Sequence, residues 1–139
     1  MATNIYIKIV SNTKSEFQMH IDLNRCFDIL IDFEKKYSRF IENNNLHIFN
    51  NSEQGKLDAE FKNILEIAIN YFKKSNGIFD IGVLPVLQKE GYVYSKNKGF
   101  VGNIAHSEFI SIESLQLTEN NYFKPKNLKI DLGGIVWIS

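Results

Sequence analysis

Two short stretches of this chain combine residue types and spacing that can do chemistry. In Lys129-Ile130-Asp131-Leu132-Gly133-Gly134-Ile135, a carboxylate sits on a β-branched run that stops at two glycines. An Asp at a strand end can accept hydrogen bonds from a ligand, and glycine backbone can approach a phosphate or offer a carbonyl to a hard cation. In Gly77-Ile78-Phe79-Asp80, a glycine is followed by an apolar residue, an aromatic and a carboxylate that can face a ligand from one turn. Each also has a structural reading: the first as a tight turn, the second as a helix-stopping glycine, a core Phe and a helix-capping Asp.

Other chemistries find no motif. The sequence has no HExxH, no CxxC pair, no GxSxG, no phosphate loop ending in Gly-Lys-Ser/Thr and no GxGxxG. His20, His47 and His106 lie far apart in unrelated contexts and read as surface or rim histidines. The lone cysteine, Cys26, has no partner for a disulfide or a thiolate metal site and reads as core filler on a helix. Lys+Arg 16 against Asp+Glu 16, with the basic residues scattered, leaves no electrostatic footprint for nucleic acid. No apolar run reaches the roughly 20 residues of a membrane span, and no signal peptide or lipid anchor is encoded. The expectation is a cytoplasmic protein, unless a longer precursor is exported. With 44% hydrophobic residues, 139 residues suffice for one domain with one core.

The elements that must position the two stretches follow from periodicity. Residues 5–10 and 16–21 read as strands joined by a turn over 11–15. Leu23, Phe27, Leu30, Phe33, Tyr37 and Phe40 recur at helical spacing, predicting an amphipathic helix from an Asp22 cap to about Tyr37. Asn43-Asn44-Asn45 breaks it, and the segment up to Gly55 reads as loop with one short turn at 46–49. A second helix is capped by Asp58, carries the stripe Phe61, Leu65, Ala68 and Phe72, and stops at Ser75-Asn76-Gly77. Residues 79–87 read as a short helix capped by Asp80, since Pro85 disfavours a central strand. Short strands are expected at 100–101, 109–112, 115–117 and 128–132. The predicted class is α+β: two amphipathic helices packed on a mainly antiparallel sheet.

Taken in order, several segments resemble one family. They are Lys35-Lys36-Tyr37-Ser38-Arg39-Phe40 through Asn43 to Asn50, Ser75-Asn76-Gly77-Ile78-Phe79-Asp80-Ile81-Gly82-Val83, Gly91-Tyr92 and Ile130-Asp131-Leu132-Gly133-Gly134-Ile135. With Met1-Ala2-Thr3 at the position of an opening Met-Gly-Thr, they resemble the amino-terminal half of the FAD:protein FMN transferases, the ApbE-type flavin transferases. The resemblance covers essentially the whole chain as a single domain, residues 1–139. It implies Mg²⁺-dependent transfer of FMN from FAD to a Thr or Ser hydroxyl of an acceptor protein, with release of AMP. Residue by residue, it implies FAD contacts from Met1, Phe40, Ile78, Phe79, Asp80 and Asp131, and a metal contact at Gly134 through its backbone carbonyl.

The sequence also departs from that pattern. After Ile135 it reads Val136-Trp137-Ile138-Ser139, where the family continues into a charged residue, a Gly-Tyr pair and a helix. The family's second half, with the carboxylate and hydroxyl groups that complete the metal site, has no counterpart here. The alternatives are therefore a non-catalytic FAD-binding module or a truncated remnant, and beyond them a structural or interaction domain. An apolar end at 135–138 predicts a chain that self-associates, binds a partner or unfolds easily.

Overall fold

A computed structural model describes residues 5–92 and 108–133, together with the backbone of 94–95 and 99–100. Along these residues run α1 (Glu16–Tyr37), α2 (Asn45–Asn51), β1 (Gln54–Lys56), α3 (Ala59–Lys74), a 3-10 turn (Ile81–Val83) and α4 (Leu84–Lys89). They are followed by β2 (Tyr94–Ser95), β3 (Gly99–Phe100), a second 3-10 turn (Ile112–Ser114), β4 (Gln116–Leu117) and β5 (Asn121–Phe123). Strands β1, β5 and β4 form an antiparallel sheet in that order, and β2 pairs with β3 as a separate antiparallel ribbon. The α+β expectation holds.

The first elements of the predicted order do not. Residues 5–10 form no strand, and 16–21 are the opening turns of α1. The cap decides this: Ser15, not Asp22, is in extended conformation, and its hydroxyl accepts the Gln18 N–H at 3.2 Å. Phe17, Met19 and Ile21 fit a period of two, but Phe17 and Ile21 also fit i, i+4, so their spacing could not separate strand from helix. Asp22 lies inside the helix, where Lys14 and Gln18 donate to its carboxylate and hold it below the usual carboxylate range. Cys26 is half-buried and lies outside the buried cluster, so it is not core filler. Only Tyr37, at the far end of α1, is buried.

From Tyr37 a line of rings runs through the core. Phe33 and Tyr37 lie 4.9 Å apart between centroids, Tyr37 and Phe61 5.2 Å, Phe61 and Phe49 5.5 Å, and Phe49 and Tyr122 4.6 Å. Each such pair contributes about 0.5–1.5 kcal/mol beyond its buried area. The line joins α1, α2, α3 and β5. Around it close Leu46, Leu57, Leu65, Ile112, Leu115, Leu128, Ile130 and Leu132. Helix α3 meets expectation: the Asp58 carboxylate accepts the Phe61 N–H at 2.7 Å, Phe61, Leu65 and Ala68 are buried, and Gly77 leaves the helix at φ 81°.

The remaining differences lie in the short elements. The turn at 46–49 is a seven-residue helix, α2, capped by Asn44. β1 and β5, the first and central strands of the sheet, were not legible in the sequence at three residues each. Residues 109–112 and 128–132 form no strands, while β4 and β3 meet the expectations at 115–117 and at Phe100; Val101 lies outside the described residues.

Candidate functional site

The site is assembled from three chain segments distant in sequence. The first is the exit of α1. Ser38 leaves the helix in extended conformation, its carbonyl accepts from Asn44 Nδ2 at 2.8 Å, and its hydroxyl accepts the Phe40 N–H at 3.3 Å. The Asn44 side chain also accepts the His47 N–H at 2.8 Å, so one buried residue both starts α2 and fixes the Arg39–Phe40 corner.

The second segment is the turn after α3. Asp80 is 9% exposed, and its carboxylate accepts the Gly82 N–H at 2.7 Å and the Ile112 N–H at 3.1 and 3.2 Å. The short helix predicted at 79–87 is therefore present, opened by Asp80 as expected. At Gly82, a Cβ would stand 2.4 Å from the Ile110 carbonyl oxygen, so only glycine lets the two backbones approach.

The third is the run into Asp131, which is tied by a side chain instead of a strand ladder. The Asn50 amide accepts the Ile130 N–H at 2.8 Å and donates to the Ile130 carbonyl at 3.0 Å. It thereby reproduces the two-bond exchange of an antiparallel pair. The Asp131 N–H donates to the Ile81 carbonyl at 2.9 Å, which sets the second and third segments side by side. Asp131 Oδ1 accepts the Gly133 N–H at 2.9 Å, and Oδ2 lies 3.4 Å from Arg39 Nη1. The Arg39 guanidinium sits 4.7 Å from the centroid of the Phe40 ring. Lys129 Nζ donates to the Asn50 carbonyl; burial, and then the nearby Lys126, lower its pKa.

Of the residues implied by the family resemblance, the structure thus brings Phe40, Asp131 and the turn at 80–82 together. Ile78 is 91% exposed, whereas Phe79 is partly buried against the core and meets Tyr71 edge-on at 6.0 Å. Met1 and Gly134 lie outside the described residues. His20 is exposed, His47 is half-buried with Nδ1 accepting the Asn43 N–H, and His106 lies outside the described residues. Arg39 and Asn50 are the positions that sequence reasoning passed over as site residues. The available signal for Asn50 was an amide on the helical face of Leu46 and Phe49, and for Arg39 a cation beside the aromatic Phe40.

Among the described residues, no three His, Cys, Asp or Glu side chains gather as a metal site requires, and the Asp80 carboxylate already holds two backbone N–H groups. These residues do not by themselves fit magnesium, which takes a near-octahedral oxygen shell. A shallow groove of about 370 Å³ on β1 and β5, lined by Gln54, Gly55, Lys56, Asn121, Tyr122 and Phe123, shares no residue with this site. No described helix is long and apolar enough to cross a membrane.

The α+β chain, in which a post-helix corner, the turn at Asp80 and the run at 130–133 converge, is similar in fold to known proteins. The ApbE family pattern matches residues 1–136, and the chain belongs to that family. Its fold resembles the apo form of the Pseudomonas stutzeri flavinyl transferase ApbE, with a TM-score of 0.66, 15% identity, and coverage of 91% of this chain and 42% of that one. It likewise resembles the Vibrio cholerae flavin transferase ApbE, with a TM-score of 0.64 and 19% identity over 89% of this chain and 42% of that one. The ApbE protein of Thermotoga maritima gives a TM-score of 0.72 and 18% identity over 91% of this chain and 43% of that one. The chain therefore spans less than half the length of these structures. No curated protein sequence matches it.

Proposed function

We propose that this chain is the flavin-binding, amino-terminal part of an FAD:protein FMN transferase, a single domain over residues 1–139. The reaction is transfer of FMN from FAD to a Thr or Ser hydroxyl of an acceptor protein. The hydroxyl oxygen attacks the FMN phosphorus, the pyrophosphate bond breaks, AMP leaves, and the hydroxyl proton passes to a base. The observation that carries this reading is the meeting of three family segments at Asp131: Ile81 holds its backbone, Gly133 and Arg39 hold its carboxylate, and Phe40 lies against the same arginine.

In this reading Asp131 accepts hydrogen bonds from FAD with the lone pairs that Gly133 and Arg39 leave free, and Phe40 offers a ring face to the flavin or adenine. Ile78 and Phe79 contribute apolar surface beside them. Asp80 acts through the turn, because its carboxylate is spent on backbone N–H groups. Met1 and the Gly134 carbonyl complete the FAD and metal contacts. Magnesium dependence belongs to this reading through the family alone. Self-association of the isolated chain also belongs to it, resting on the apolar run at 135–138.

The test is incubation of the chain with FAD, Mg²⁺ and an acceptor protein carrying a Thr/Ser flavinylation site. The expected result is FAD binding with only weak covalent flavin fluorescence on the acceptor, since the isolated chain is expected to be catalytically crippled, and absence of FAD binding would refute the reading. Bound FAD without transfer would instead select the second reading, a non-catalytic FAD-binding module. That alternative is favoured by the lack of a metal-ligating cluster among the described residues.

A further inference from the structure

Three polar features stand out beyond the residues that the resemblance implies: the buried Lys124, the Asn50 clamp and Arg39. Lys124 donates to the Leu128 and Pro125 carbonyls, and Asn50 to the Ile130 carbonyl, so both serve the backbone. Arg39 touches two side chains assigned to flavin binding. Its side chain is 15% exposed, and that of Asp131, its ion-pair partner, is 17% exposed. Its Nη1 is buried and, among the described residues, makes no hydrogen bond; the 3.4 Å approach to Asp131 Oδ2 is a charge contact. The guanidinium also lies over the ring of Phe40, 91 positions before Asp131 in the chain.

We propose that Arg39 is the positioning residue of the flavin site, a plate that fixes the Phe40 ring and the Asp131 carboxylate as one unit. This rests on the flavin-transferase reading above. The planar guanidinium suits that role because it stacks on a ring through its face while its edge meets a carboxylate, whereas a lysine ammonium is a point charge without a face. The backbone ties act at Ser38, Ile130 and Asp131 N–H and place the two segments; the guanidinium then sets the Phe40 ring and, together with the Gly133 N–H, the Asp131 carboxylate.

The experiment is titration of the full 139-residue chain with FAD, read by flavin fluorescence and anisotropy, for wild type, Arg39→Met, Arg39→Lys, Asp131→Asn and the two double variants. Arg39→Met is expected to weaken binding at least about tenfold. Arg39→Lys should lose nearly as much despite keeping the charge. Each double variant should bind no worse than the weaker of its two single variants, because Arg39 acts through Asp131. Wild-type affinity in Arg39→Lys, or losses that add in the double variants, would overturn the positioning role while leaving the flavin reading intact. Failure of the wild-type chain to bind FAD would overturn both. Should Arg39→Met fail to fold by circular dichroism, the Arg39→Lys and Asp131→Asn cycle decides alone.

Discussion

Replacing Asn50 by alanine should be among the most damaging single changes in this protein, although Asn50 belongs to neither stretch that first suggested chemistry. The residue is 7% exposed, and Ile130, which donates one hydrogen bond to its side chain and accepts the other from it, is fully buried. Truncation leaves the Ile130 N–H and C=O without partners, because residues 128–132 form no strand that could supply them. An unsatisfied buried backbone group costs about 1–3 kcal/mol, so the pair amounts to roughly 2–6 kcal/mol. That is a large share of the roughly 5–15 kcal/mol that holds a domain folded. With a urea slope of about 2 kcal/mol per molar, the unfolding midpoint should fall by roughly 1–3 M. The control is Asn51→Ala: its exposed amide donates to the His47 carbonyl within the same helix, and its loss should cost about 0.5 kcal/mol or less. Urea titration followed by circular dichroism measures both. An Asn50→Ala chain within about 0.5 kcal/mol of wild type would refute the reasoning that this amide stands in for a strand.

Three further outcomes follow from the same structure. Asp80→Ala should lose about 2–4 kcal/mol of stability in the same titration, since a carboxylate holding two backbone N–H groups is removed, and Asp80→Asn should lose less because one acceptor remains. Gly82→Ala should cost at least about 2 kcal/mol, because its methyl would stand 2.4 Å from the Ile110 carbonyl oxygen; calorimetric unfolding tests it, and an unshifted midpoint would contradict the close approach. Lys124 carries a pKa lowered to about 8, first by burial and then by Lys129, against 10.5 when unfolded. Its buried charge penalises the fold below about pH 8. Between about 8 and 10.5 the unfolded chain binds more protons, so this group raises stability with pH by up to roughly 1.4 kcal/mol per unit. Lys124→Met should flatten the rise in a pH series of urea titrations.

Local chemistry made the second helix and its surroundings legible. Asp58, the Phe61, Leu65 and Ala68 stripe and Gly77 each act within a few residues of where they stand, so start, buried face and stop could be read in order. Asp80 opening a short helix is equally local. The end of α1 at Tyr37 was legible for the same reason, but its beginning was not: Phe17, Met19 and Ile21 satisfy two periods, and the Ser15 cap decides between them. The sequence alone also carried the order of motifs that marks the ApbE family. Tertiary structure decided what those motifs touch. Asp131 sits at the end of a segment held at Ile130 by the side chain of Asn50, 80 positions earlier, and by the Ile81 carbonyl, and it faces an arginine that helical periodicity leaves unremarked. Asp80, which by type could face a ligand, turns inward because the Gly82 and Ile112 N–H groups need a buried acceptor. Hydrogen bonds of that span depend on which backbone groups are stranded without a ladder, and that is fixed only when the helices and the three-stranded sheet close around Ile130.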